Sequence, residues 1–306
     1  MRLLRRRVIG AGSHRSGWPR VVGALQAIES KGEVLLDDFT ESSFCYKALE
    51  HPRLAPWVGI FHHPRVIHSP LAGDAINLLK NVTLRPNWTE SMSALRGGIA
   101  LCEDVAAGLR SWMNVPVTVI PHPTERDVPR WTPSSLSRPR IAQVGAFLRN
   151  TQLIFQAPVP KGWHRVQLIG TMKWIHARDR KLRSLRIRPD VQRTRVEVVR
   201  RLDDMAYDRL LAESVVTTEL FGAAANNLVV ECMVRGTPLI VNRVPAVEEY
   251  LGENYPLYFG EVSEIASLLE PDRLVAASRH LLARSELLPS FEDFARRVKA
   301  FLDSVN

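Results

Sequence analysis

Short apolar runs alternate with longer amphipathic stretches along this chain, and the alternation stops once and then restarts. Apolar runs of four or five residues suit strands buried on both faces. The stretches between them are long enough for crossover helices, which is the pattern of a parallel sheet wrapped by helices. In the first half, strands are expected at Arg7–Ala11, Glu33–Leu36, Trp57–Phe61, Ile99–Cys102 and Val117–Ile120. Helices are expected over Pro19–Ser30 and from Cys102 through Trp112. Pro121–Pro139 then carries five prolines among several serines and threonines and reads as a linker. Beyond it, strands are expected at Arg140–Val144, Val166–Ile169, Val196–Val199, Val215–Thr218 and Pro238–Val241. Ser290–Val305 places Phe291, Phe294, Val298, Phe301 and Leu302 at helical spacing and predicts an amphipathic helix. A chain of 306 residues accommodates two domains, with boundaries at 1–137 and 138–306. The fold class is α/β: two units facing a cleft, with ligands expected at the carboxyl ends of their strands.

Composition narrows the function classes. Apolar residues make up 45% of the chain and charged residues 24%, so it has enough for two cores and is not disordered. The three cysteines, Cys45, Cys102 and Cys232, are far apart and form no C-x-x-C pair, so neither a disulfide framework nor a zinc site is expected. Met1–Arg7 holds four arginines with no apolar run after them, so no signal peptide is expected, and no stretch nears the ~18 apolar residues that cross a bilayer. The expected location is the cytoplasm, peripheral at most to the inner membrane surface. The net charge of +9 suits an anionic partner: nucleic acid, a membrane surface or a phosphorylated ligand.

The most informative stretch is Thr218–Gly252. Asn226 and Asn227 are strong helix N-caps, and Gly236 with Pro238 is a helix stop. The helix between them is apolar nearly all round (Leu228, Val229, Val230, Cys232, Met233, Val234) and is expected to be buried. Glu231 is the exception, and a lone buried carboxylate needs a partner. Two partners fit. A ribose diol offers two hydroxyl donors to an acceptor-only carboxylate; alternatively Arg235 at i+4 pairs with it inside the protein. The N-terminus of the same helix offers N–H groups to a pyrophosphate, and the small residues Gly222–Ala225 permit close approach.

This stretch resembles the donor-binding signature of the GT-B glycosyltransferases, which have two Rossmann-like domains, and within them retaining family 4. A Gly-containing loop is followed by a helix with a Glu, then G-x-P and a strand; Glu231, Gly236 and Pro238 match that order. NNLVVECMVRGTPLIVNRVPAVEEYLG followed by YPLYF also resembles a subgroup of uncharacterised bacterial glycosyltransferases. The resemblance implies that Glu231 holds the nucleotide ribose. Ile141–Thr151 resembles the first strand and loop of the donor domain, where a basic residue meets the phosphates. That implies donor binding by Gly145 and Arg149, beside Asn226 and Asn227, with Val198–Asp204 near the base. The sequence departs from family 4 at Ala223, where a second Glu is usual; Glu219 lies twelve residues before Glu231.

In the first half, Gly12–Gly17 is a small polar loop between strand and helix, and Ser16 and Gly17 are donor-side candidates at its end. It is not G-x-G-x-x-G, so no dinucleotide fingerprint is present. His62 and His63 follow the strand Trp57–Phe61. Without a third ligand they do not suggest metal. By resemblance His62 faces the donor sugar, where an imidazole can exchange hydrogen bonds or a proton. Asp37 and Asp38 follow the second strand, and if the transfer inverts the anomeric carbon either is a candidate base for the acceptor hydroxyl, Asp38 foremost, a solvated turn or helix cap being the alternative. His122, Thr124 and Glu125 are expected to do structural work near the hinge.

The reading is a glycosyltransferase that moves a sugar from a nucleotide-sugar donor without a metal or other cofactor. The alternatives are transfer to hydroxylated DNA bases, a nucleotide-sugar epimerase, and a non-enzymatic nucleic-acid-binding protein. Ten basic residues against three acidic ones lie between Arg178 and Arg201, with Trp163 and Trp174 nearby. Either this is a solvated helix face, or it receives an anionic acceptor, DNA or a membrane-associated lipid-linked glycan.

Overall fold

The apolar runs fold as two parallel sheets in the computed structural model, which describes residues 2–4, 16–30, 33–46, 51–185 and 196–306. The expected strand Arg7–Ala11 lies outside the described residues, as do Gly12–Arg15 of the loop after it. The first sheet has the order β1 (Arg2–Leu3), β2 (Leu35–Asp37), β3 (Trp57–Phe61), β4 (Leu95–Ala100), β5 (Val117–Val119). The second has the order β11-β10-β9-β6-β7-β8, built from β6 (Arg140–Val144), β7 (His164–Leu168), β8 (Val196–Val199), β9 (Val215–Thr218), β10 (Leu239–Asn242) and β11 (Tyr258–Phe259). That order is the doubly wound 3-2-1-4-5-6 arrangement, and its strand order reverses between β6 and β9.

The first sheet carries helices α1 (Trp18–Ala27), α2 (Trp88–Met92) and α3 (Glu103–Arg110). The second sheet carries α4 (Leu153–Gln156), α5 (Lys173–Leu185), α6 (Asp204–Ala212), α7 (Asn227–Arg235), α8 (Pro245–Leu251), α9 (Ile265–Leu268) and α10 (Pro271–Ser285), and α11 (Phe291–Ser304) closes the chain. Ser290 caps α11 by accepting from the Asp293 N–H. The apolar stripe of α11 does not pack on the second sheet. Phe294, Val298 and Leu302 join Trp18, Val21 and Leu25 of α1 and Ile60 and Ile99 of the first sheet in one buried cluster. The chain thus returns across the cleft at its end.

Two strands begin earlier than the sequence pattern suggests, β7 at His164 instead of Val166 and β4 by four residues. β4 starts at Leu95, not Ile99, and runs through Gly97 and Gly98, which add no side chain to the apolar run. The reason is tertiary: a Cβ on Gly97 would lie 2.8 Å from the Phe301 ring of α11 and 3.2 Å from the Pro116 carbonyl. The two units also meet through Tyr250 of α8. Its hydroxyl donates to the Leu101 carbonyl at 2.7 Å and accepts from the His122 N–H at 2.9 Å. No helix among the described residues is long and apolar enough to cross a membrane.

Candidate functional site

At the reversal point of the second sheet, the carboxyl ends of β6 and β9 open onto a cleft of ≈ 450 Å³ between the two units. The first unit contributes His62 and Pro64; the second contributes Gly145–Arg149, Gly170, Met172, Trp174, Tyr207, Gly222–Leu228 and Glu231. This volume is in the range of small-molecule sites. His62, Gly145, Arg149, Asn226, Asn227 and Glu231, read from distant parts of the sequence, therefore line one cavity.

The N-terminal end of α7 forms part of its wall. The Asn226 side chain accepts from the Leu228 N–H at 3.0 Å, and Gly236 ends the helix in the left-handed conformation at φ 62°. Both caps stand where the sequence places them. Asn226 Oδ1 also accepts from Arg149 Nη2 at 2.8 Å. Arg149 reaches the cleft from the loop after β6, and that loop requires unusual backbone. Gly145 has φ 81°, and a Cβ there would run into the Arg149 guanidinium. Leu148 adopts φ 49°, a conformation that L side chains rarely take and that costs on the order of 1–3 kcal/mol. Backbone bonds from Asn150 to Glu219 (2.9 Å) and from Phe221 to Leu148 (2.8 Å) hold it there. Burial lowers the proton affinity of the Arg149 guanidinium, and its Nε has no hydrogen-bond partner among the described residues. A buried cationic donor short of an acceptor, beside a helix N-terminus, is a place for an anion.

Glu231, 1% exposed, projects from α7 into the floor of the cleft. Its Oε2 accepts from the Tyr207 hydroxyl, and its Oε1 receives the Ser16 N–H at 3.4 Å. Burial first, and the Glu231 charge second, hold the Tyr207 phenol well above its usual range, so it donates. Glu231 does not pair with Arg235 through its carboxylate. Arg235 forms a buried ion pair with Asp208 and donates to the Glu231 backbone carbonyl. Ser16 also shares a 2.7 Å hydrogen bond with Thr124, and Gly17 is the N-cap of α1. The loop end thus meets the base of α7, although Ser16 and Gly17 are not themselves among the lining residues.

His62 enters from the opposite side. Its ring lies edge-on to Trp18 at 4.1 Å and beside Phe39 at 4.2 Å. His62 Nε2 lies 2.9 Å from the Asp38 carbonyl. A carbonyl only accepts, so Nε2 carries a proton and donates to it; when the ring is neutral, Nδ1 is the acceptor nitrogen. The backbone N–H groups of His62 and His63 both donate to Glu41 Oε1 at 2.8 Å. His63 is buried beside Tyr46, at 2.8 Å, and burial pushes it down to about 3. It stays neutral and outside the cleft.

Asp38 is not brought into the cleft. Its carboxylate is 4% exposed and accepts from Trp18 Nε1 at 2.9 Å, while its carbonyl orients His62. Neither aspartate is a solvated turn: Asp37 is fully buried and ion-paired with Arg53. Glu219 is likewise absent from the lining and accepts from the Asn150 side chain at 2.6 Å, whereas Ala223 lines the cleft. Of the basic run, Arg178 is buried, Arg180, Lys181 and Arg183 are exposed on α5, and 186–195 lies outside the described residues. Val198–Asp204 does not line the cleft.

Sequence reasoning missed Tyr207, Glu41 and Arg178 as site residues. Tyr207 had a signal: Asp203 caps α6, and Tyr207, Leu210 and Leu211 follow at helical spacing. Glu41 and Arg178 act across the fold, and nothing local marks them.

With that geometry, the resemblance to solved structures is specific in fold. Sucrose-phosphate synthase from Thermosynechococcus elongatus superposes with a TM-score of 0.70 at 16% identity, over 94% of this chain and 77% of that one. The Anabaena protein HepE in complex with UDP-glucose gives 0.64 at 13%, over 94% and 82%. The UDP-forming α,α-trehalose-phosphate synthase from Burkholderia vietnamiensis gives 0.58 at 12%, over 94% and 77%. No protein-family model and no curated protein matches the sequence. The chain has the GT-B fold, an α/β architecture of two Rossmann-like units facing a cleft.

Proposed function

We propose that this protein is a glycosyltransferase that binds a nucleotide-sugar in the cleft and transfers the sugar to an acceptor hydroxyl. One observation carries the reading. A cation short of an acceptor (Arg149), the helix N-terminus that Asn226 caps (Asn226–Leu228) and a buried carboxylate (Glu231) converge in one cleft at the reversal point of the sheet. A nucleoside diphosphate needs those three groups. Arg149 and the α7 N–H groups take the diphosphate, and Glu231 takes the ribose hydroxyls. A carboxylate accepts at about four lone-pair positions, so bonds to Tyr207 and the Ser16 N–H are compatible with a ribose partner as well.

As the acceptor oxygen bonds to the anomeric carbon, the bond from that carbon to the diphosphate breaks. Arg149 and the helix N-terminus stabilise the charge that develops on the leaving group, without calling on a metal. His62 meets the sugar from the first unit, with Nε2 fixed on Asp38 and Nδ1 able to accept a proton or hydrogen bond. Asp38 then contributes by setting the His62 tautomer instead of acting as the base itself. The fold's neighbours include proteins named as sucrose- and trehalose-phosphate synthases and one bound to UDP-glucose, which supports a nucleotide-sugar donor. A thermal-shift series with UDP-, GDP-, TDP- and ADP-sugars tests the reading. One donor family is expected to raise Tm; a flat response to all four overturns it. Donor turnover with no acceptor present indicates an epimerase instead.

The acceptor reading follows from α5. Lys173, Arg180, Lys181 and Arg183 are exposed on this helix, and Trp174, 44% exposed, stands at the mouth of the cleft. A cationic face with an aromatic edge fits an anionic acceptor, a lipid-linked glycan on an anionic membrane or hydroxylated bases in DNA. Binding to anionic vesicles and to duplex DNA, followed from about 50 to 200 mM salt, separates them. Binding to neither at low salt leaves a neutral or soluble acceptor.

A further inference from the structure

We propose that Arg178 is a positioning residue that couples closure of the two units to the shape of the loop carrying Arg149. Arg178 extends from α5 with 8% of its side chain exposed and holds two things at once. On the second unit, Nη1 donates to the Ala146 carbonyl at 2.9 Å and to the Arg149 carbonyl at 2.7 Å. Those carbonyls flank Leu148, the residue held at φ 49°. On the first unit, Nη2 donates to Asp74 Oδ2 at 2.9 Å and Nε reaches Asp74 Oδ1 at 3.4 Å. Asp74 lies in the short 3-10 turn Ala72–Asn77, and Ser69 steadies its carboxylate with a 2.5 Å hydrogen bond.

The surrounding contacts show that this is where the units touch on that side of the cleft. The His68 N–H donates to the Phe221 carbonyl at 2.7 Å. Leu71 of the first unit packs with Leu182 and Phe221 of the second, and the Arg178 guanidinium lies 5.4 Å from the Phe221 ring. A Cβ on Gly222 would come within 2.6 Å of the Val66 carbonyl, so the approach is close.

The coupling follows from the chemistry of a buried guanidinium. With Asp74 in place, the charge is compensated, and the planar fork can keep both carbonyls. When the units part, Asp74 leaves. A buried cation with only carbonyl partners is poorly compensated and turns toward water. The two carbonyls are released with it, and the strained turn at Leu148 loses a clamp. Arg149 is therefore set for its ligand only when the cleft is closed. The inference concerns the site proposed above, but its main readout needs no ligand.

Hydrogen exchange of the whole chain, read by mass spectrometry, tests it. Asp74→Asn removes the charge in the first unit and leaves every Arg178 donor in place. Exchange of the 146–151 amides, in the other unit, is expected to rise at least tenfold. Ser69→Ala, a milder change, is expected to give a smaller rise in the same amides. The charge swap Asp74→Arg with Arg178→Asp is expected to restore interdomain contact at 64–74 without restoring loop protection, because an aspartate cannot donate to the carbonyls. Exchange that rises at 64–74 in Asp74→Asn while 146–151 stays at the wild-type rate overturns the coupling. So does loop protection in the charge swap. Titration with UDP, GDP, TDP and ADP is a separate arm: binding of none of the four by the wild-type protein contradicts the glycosyltransferase reading and leaves the exchange result standing.

Discussion

Asn226 holds the cap of α7 and Arg149 together, and Asn226→Asp separates fold stability from ligand binding. The structure gives the side-chain oxygen two donors, the Leu228 N–H at 3.0 Å and Arg149 Nη2 at 2.8 Å. Aspartate keeps both bonds, caps a helix as well as asparagine does, and turns the second bond into an ion pair. The unliganded protein is thus expected to gain roughly 1 kcal/mol, from a charge-assisted bond and a favourable charge at a helix N-terminus. In a chain of this size that is a rise of about 2 °C in Tm. The same charge stands where the diphosphate is to bind. Two like charges about 4 Å apart repel by about 4 kcal/mol at an effective dielectric of 20. Loss of half of that to relaxation still leaves about 2 kcal/mol, a roughly 30-fold weaker affinity. Paired thermal denaturation and calorimetric titration with the nucleoside diphosphate of the stabilising donor read both effects. A variant that binds the diphosphate as tightly as wild type refutes the placement of phosphate beside Asn226 and Arg149, whatever its Tm.

Three further outcomes are expected. Glu231→Gln is expected to weaken nucleotide affinity by roughly 1–3 kcal/mol, since it replaces an acceptor of ribose hydroxyls; calorimetry on a folded variant checks it. His62→Ala is expected to cut turnover by roughly 10²–10⁴-fold while donor affinity changes little, a split that steady-state kinetics and titration resolve together. Acid sensitivity is expected from the buried histidines, because burial pushes His122 down to about 4 and His63 to about 3. Both are neutral in the folded chain and protonate on unfolding below pH ~6.5, so their contribution is intact above that pH and is lost as pH falls toward the folded values. At pH 5 each site costs about 2 kcal/mol, and His122→Phe is expected to narrow the gap between urea midpoints at pH 7.5 and 5. A gap unchanged from wild type contradicts this assignment for His122.

Much of the fold is legible in the sequence wherever the signal is local. β3, β6, β8 and β9 fall on the apolar runs that predict them, and α7 and α11 begin at their Asn and Ser caps. Gly97 and Gly98 add no side chain to the apolar run, so the start of β4 is not legible; their bare backbone makes room for Phe301 at Gly97 and for Met113 at Gly98. α11 shows the same limit: its stripe predicts a helix, but not that the helix crosses back to α1. In the site, Glu231 and Arg149 stand out as charges in otherwise apolar or glycine-containing contexts. Asp38 looks free in sequence yet is spent on Trp18, because which face a turn presents depends on what packs over it. Arg178 hides in a basic run, since only the folded chain brings Asp74 to it.

The decisive measurement is a crystal structure with the donor that most raises Tm. The diphosphate is expected between the Arg149 guanidinium and the N–H groups of the first turn of α7, the ribose hydroxyls on Glu231, and the sugar turned toward His62. A nucleotide bound elsewhere, or in this cleft with its phosphates away from Arg149 and its ribose away from Glu231, contradicts this placement.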